Sequence, residues 1–192
     1  FIGNKWLRQG SPCRFFLCGG SCLTARRITF RSFAQKETRR KFMKILIIDA
    51  QGGGIGRQVI SAVKAKFPRA ELTAVGTNSL ATAAMLKAGA DYAATGENAV
   101  VVGCRRADVI IGPIGIVIAD AMLGEVTPKM ARAVGQSGAH RILIPVSSHC
   151  DNIVVGVPDL SIKRLIGDVV TELEGICRQH MSGEAMQGKA MD

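Results

Sequence analysis

The stretch that most constrains this chain is Lys44–Ile60, KILIIDAQGGGIGRQVI, in which strand-forming residues run into three adjacent glycines and then into helical spacing. A continuous apolar run is what a strand buried on both faces requires. Gly52, Gly53, Gly54 and Gly56 let the backbone approach a ligand closely, and the N–H groups that open the following helix lack intrahelical partners and favour an anion. Arg57 adds a positive charge. The turn is therefore expected to hold a phosphate or another anion. A tight strand-to-helix turn, closely packed and without a ligand, is the alternative.

The rest of the chain repeats the strand–helix alternation. Strands are expected at Lys44–Ala50, Glu71–Gly76, Asp91–Ala94, Asp108–Ile111 and Arg141–Val146, with helices at Ile55–Phe67, Ser79–Lys87 and Glu97–Arg105. Ile116–Gly135 has helical spacing, interrupted by GEVTP at Gly124–Pro128, and Asp159–Cys177 carries a long apolar stripe. Asn152–Val157 follows the fifth strand too closely for a parallel crossover, so an antiparallel last strand is expected. The fold class that results is α/β, a three-layer Rossmann-like, doubly wound sheet that is mainly parallel. In such sheets ligands bind beyond the carboxyl ends of the strands, near the reversal of strand order. The loops expected there are QGGGIG, GTN, TGEN, GPIG and PVSSHCDN.

Those loops supply the candidate residues. Gly52, Gly53, Gly54, Gly56 and Arg57 would bind the ligand's phosphate, with Thr77, Asn78, Gly112 and Gly115 lining the remainder. Asp49 would coordinate a metal or bond to loop amides; no metal cluster is otherwise indicated. Glu97 and Asn98 follow Thr95, a residue suited to cap the third helix. His149 and Cys150, beside Asp151, pair a thiol with an imidazole, but neighbours on an extended loop point apart. The catalytic candidates are thus Asp49, Glu97, His149 and Cys150. Familiar motifs each fail at a residue. A dinucleotide fingerprint from Gly52 needs glycine at Arg57 and an acid after the second strand, where Gly76-Thr77-Asn78 stands. A phosphate-binding loop of the NTPase type needs Lys-Ser/Thr where Arg57-Gln58 stands. GGIGRQ is similar to the end of the short-chain dehydrogenase turn, yet Tyr92 has Gly96 where that family's lysine would lie.

Charge decides which partners the folded part can take. Residues 1–42 hold ten Lys and Arg against the single acid Glu37, whereas the remaining 150 residues hold 15 bases and 14 acids. Nucleic-acid binding needs a basic, aromatic face, and past residue 42 only Phe67 and Tyr92 are aromatic, so it is disfavoured. No run is apolar enough to span a membrane. Arg39-Arg40-Lys41-Phe42-Met43 is readable as AGG AGG, two codons and ATG, a bacterial ribosome-binding site followed by a start. Residues 1–42 are accordingly expected to be translated upstream sequence and disordered, a genuine basic extension being the alternative. Residues 43–178 would form the single domain and 179–192 a flexible tail. Past residue 42 the cysteines are Cys104, Cys150 and Cys177, odd in number and widely spaced, which suggests reduced thiols and a cytoplasmic location.

The segments KILIIDAQGGGIGRQ, GTNSLATAAMLKAGA, ATGENAVV, ADVIIGPIGI and ILIPV together resemble a family of small bacterial proteins catalogued as domain of unknown function 3842. The resemblance runs from residue 43 to about 177 and implies a fold without an assigned activity. Function is thus expected to be binding of a nucleotide, NAD(P) included, or of a phosphorylated small molecule. An NAD(P)-linked oxidoreductase would place Glu97, His149 or Cys150 across from the glycines. A non-catalytic sensor or partner-binding subunit would instead expose an apolar patch on Ile114–Met122 or the last helix, as a homo-oligomer would use.

Overall fold

The computed structural model describes residues 43–146, Val154 and residues 160–187. The elements are β1 (Lys44–Asp49), α1 (Gly54–Lys66), β2 (Glu71–Gly76), α2 (Ser79–Lys87), β3 (Tyr92–Thr95), α3 (Glu97–Cys104), β4 (Val109–Pro113), α4 (Pro128–Gly135), β5 (His140–Ile144) and α5 (Ile162–Gln187). The sheet has five strands in the order β3-β2-β1-β4-β5, and every pairing is parallel. This is a flavodoxin- or Rossmann-like arrangement whose order reverses between β1 and β4. Asp49 pairs with Gly76, and Gly76 with Thr95, so the carboxyl ends of the first three strands lie side by side.

Alternation along β1 explains its unbroken apolar run. Ile45 and Ile47 enter one core with Val59, Ile60 and Val63 of α1, Met85 of α2 and Ile166, Val169 and Leu173 of α5. Leu46 and Ile48 enter the opposite core with Val100 of α3 and Met130 and Val134 of α4. Each such side chain, fully buried, contributes about 1.5–3 kcal/mol. Both faces of the central strand are therefore spent on the fold. Ile166, Val169 and Leu173 are the apolar stripe of α5, which packs within the chain.

Two expectations are corrected, and a third is not supported. The antiparallel strand at Asn152–Val157 lies outside the described residues except for Val154, which has no regular secondary structure, and the sheet has no antiparallel pair among the described residues. The helical stretch expected over Ile116–Gly135 with an interruption at Gly124–Pro128 is a single 3-10 turn at Ile114–Val117, a chain of turns, and then α4, so only the part after the interruption is an α-helix. Asp120, Met122, Leu123 and Gly124 have φ of 61°, 57°, 60° and 83°, values that no right-handed helix contains. Thr127 starts α4 by accepting from the Met130 amide, with Pro128 at the first helical position, where its missing N–H costs nothing. Finally, α5 runs past Cys177 to Gln187.

Candidate functional site

At the carboxyl end of β1 the chain rises through Ala50 to Gln51 and Gly53, whose φ values of 51° and 66° are left-handed. Gly53 has no side chain with which to cap α1, and Asp49 substitutes for it. Its Oδ2 accepts from the Gly56 amide at 2.6 Å and its Oδ1 from the Ala50 amide at 2.9 Å. Asp49 is only 4% exposed. Burial pushes its carboxyl above the ordinary carboxylate range, against the amides of Gly56, Ala50 and Ile55, and the nearby Glu125 charge adds to the rise. The opening of α1 therefore already faces an internal carboxyl group, and Asp49 is bonded to loop amides.

The glycines of the loop fall into two kinds. A Cβ on Gly53 would lie 2.8 Å from the Ala81 backbone, and one on Gly56 would lie 2.5 Å from Met85 Sδ and 2.9 Å from Asp49 Cβ. Close packing of α1 against α2 and β1 accounts for both. Gly52 and Gly54 are different: they are exposed, have no left-handed φ, and have nothing within 4 Å of the position a Cβ would take. Their amides have no partner among the described residues. Gly112 is a packing glycine, since its Cβ would meet the Ile48 carbonyl at 2.5 Å, and Gly115 is buried in the 3-10 turn.

A residue that local sequence gave no reason to single out joins the loops. Glu125 reaches from the segment before α4, and its Oε2 accepts from the Gln51 amide at 2.8 Å, from Asn78 Nδ2 at 3.0 Å and from the Thr77 hydroxyl. Burial works against its charge, but Thr77, Gln51 and Asn78 outweigh it and hold the carboxyl below the ordinary range. Asn78 also caps α2 by accepting from the Ala81 amide, and donates to the Gln51 carbonyl at 2.8 Å. Thr77 and Asn78 are thus brought to the glycine loop, with Glu125 as the common acceptor.

The other candidates lie elsewhere. Glu97 opens α3, accepts from the Thr127 hydroxyl at 2.7 Å and pairs with Lys129 at 3.0 Å, so it ties α3 to α4. The Thr127 bond, then the Lys129 contact, holds its carboxyl below the ordinary range. Thr95 does not cap α3; Gly96 is the N-cap, and the Thr95 hydroxyl bonds to that of Thr82 at 2.7 Å. Arg57 is exposed on α1 and lines a groove of about 1050 Å³ with Leu80, Lys87 and Lys163, a lining that includes none of the loop glycines. Burial pushes the Cys104 thiol up to about 11. His149 and Cys150 lie outside the described residues. Among the described residues no group of three His, Cys, Asp or Glu could hold a metal ion, and no helix is long and apolar enough to cross a membrane.

With this geometry in place, comparison with known proteins places the chain. The model of one family, described as Domain of unknown function (DUF3842), matches residues 44–178. The chain belongs to that family. The match takes in all five strands and the whole loop cluster around Gly52, Thr77 and Glu125. No curated protein sequence matches. Among solved structures, the family domain is similar to a dodecameric FMN-dependent Ubix-like decarboxylase from Escherichia coli O157:H7, at 16% identity over 70% of this chain and 76% of that one, with a TM-score of 0.34.

Proposed function

We propose that the domain binds a nucleotide or a related phosphorylated small molecule at the carboxyl edge of its sheet, with the phosphate on the amides of Gly52 and Gly54. One observation carries this reading: two exposed glycines have amides without a partner, and no packing reason to lack a side chain, among the described residues. A ligand that must come close to the backbone supplies that reason. Their position supports it too, because the loop leaves β1 beside the strand-order reversal between β1 and β4. The reading is of binding, with no reaction attached. Asp49 is committed to loop amides, and Glu97 to Thr127 and Lys129.

The test is the melting temperature of the full chain against NAD(H), NADP(H), ATP, GTP, coenzyme A, sugar phosphates and orthophosphate. A ligand that binds only the native state adds about 2.7 kcal/mol of stability at a hundredfold excess over its dissociation constant. The expected result is a shift with at least one phosphorylated compound, abolished by Gly54→Val. A well-folded sample that shifts with none of them refutes the proposal.

A further inference from the structure

The inference concerns Glu125 and rests on the binding site just proposed. In dinucleotide-binding sheets an acid following the second strand accepts hydrogen bonds from the ribose hydroxyls. This chain has Gly76-Thr77-Asn78 there, with no acid. Glu125 supplies a carboxylate at that place from a segment 47 residues further along, through its bonds to Thr77 and Asn78. The third bond, from the Gln51 amide, fixes the same carboxylate against the glycine loop. From these contacts we infer that Glu125 accepts the sugar hydroxyls of the bound nucleotide, so that the site selects a free ribose 2′,3′-diol over a ribose phosphorylated at the 2′ position.

The chemistry of the carboxylate supports the assignment. All three protein donors fall on Oε2, and Oε1 has no bond among the described residues. The residue is half-buried, so it is ordered by its neighbours and still open to a ligand. An ionised carboxylate only accepts hydrogen bonds, which suits hydroxyl donors and opposes a phosphate group. The segment before it holds Glu125 in place at a conformational cost. Asp120, Met122, Leu123 and Gly124 are left-handed, and the turn is pinned by the buried Met122 and by bonds from the Asp120 amide to the Val126 carbonyl at 2.8 Å and from the Val126 amide to the Ala121 carbonyl at 3.2 Å. Non-glycine residues persist in that region only where their surroundings hold them there.

The experiment is titration calorimetry of the full-length chain with four probes: AMP, 2′-deoxy-AMP, adenosine 2′,5′-bisphosphate and orthophosphate. Wild type should bind AMP about tenfold or more tightly than either sugar-modified analogue, because a site built around hydroxyl donors penalises their loss. Glu125→Gln should weaken AMP about tenfold and bring AMP and the bisphosphate within about threefold of one another, since its amide can donate to phosphate. Orthophosphate should bind Glu125→Gln at least as tightly as wild type, since the carboxylate that opposes phosphate is bonded to the Gln51 amide beside Gly52. Equal wild-type affinity for AMP and its analogues overturns this inference alone, and that comparison needs no variant. A glutamine variant that keeps the wild-type preference also overturns it. If no nucleotide binds wild type, the nucleotide-binding proposal falls and takes this inference with it.

Discussion

Substituting alanine at two glycines two residues apart should move stability in opposite directions. At Gly56 the new methyl group would sit 2.5 Å from Met85 Sδ, 2.9 Å from Asp49 Cβ and 3.0 Å from Asp49 Oδ2. Overpacking of that kind costs about 1–3 kcal/mol. It would also disturb the bond from the Gly56 amide to the Asp49 carboxylate, and hydrogen bonds to charged groups are worth about 1.5–3 kcal/mol. Better helix propensity returns about 1 kcal/mol, which leaves Gly56→Ala destabilised by about 1.5–5 kcal/mol. At Gly54 the methyl group would meet nothing within 4 Å, and the residue is the first of α1 with no left-handed φ. There alanine mainly narrows the unfolded ensemble, so Gly54→Ala should gain about 0.4–1 kcal/mol. Urea denaturation with a shared m-value measures both. A Gly54→Ala loss above about 1 kcal/mol would mean that this glycine is needed by the fold, and the argument that a ligand explains it would fail.

Two further outcomes follow from the polar contacts. Glu125 has a depressed carboxyl in the folded chain, so its contribution is present above its ordinary value of 4.5 and is lost as pH falls through the folded value. Glu125→Gln should thus be less stable than wild type by about 1–2 kcal/mol at neutral pH, with the two denaturation curves converging in acid. Thr127→Ala should lose about 1 kcal/mol, because the hydroxyl both caps α4 and donates to Glu97. Thr127→Ser, which keeps the hydroxyl, should recover most of that loss in the same chemical denaturation assay.

How much of this was legible beforehand depended on range. β2 and α2 are bounded as sequence patterning predicts, because their apolar residues are sorted by local periodicity and stopped by Gly76 and by the Asn78 cap. Ile116–Leu123 misled because its apolar spacing is helical while its backbone is not, whereas the part after the GEVTP interruption is α4. Thr127-Pro128, an N-cap before a proline at the first helical position, was the available signal for where α4 begins. In the loop, composition alone could not separate Gly53 and Gly56, which packing demands, from Gly52 and Gly54, which it does not. Only the position of α2 against α1 does that. Glu125 was missed for the same reason: its partners are 47, 48 and 74 residues away, and nothing beside it in the chain marks it.

Those separations also bear on when the site exists during synthesis. The segment through β3 can form its βα units from near neighbours, yet it contains neither β4 nor Glu125. Until residue 125 has been made and has crossed back to Gln51, Thr77 and Asn78, the glycine loop lacks the carboxylate that ties it to the end of β2. Non-local pairings of this kind close late, because their loop entropy is lost before any contact compensates. A nascent chain halted after Thr95 would therefore carry the whole glycine signature with its loop not yet bonded to Glu125, so the loop reaches its final set of contacts only after α3 and β4 have been made.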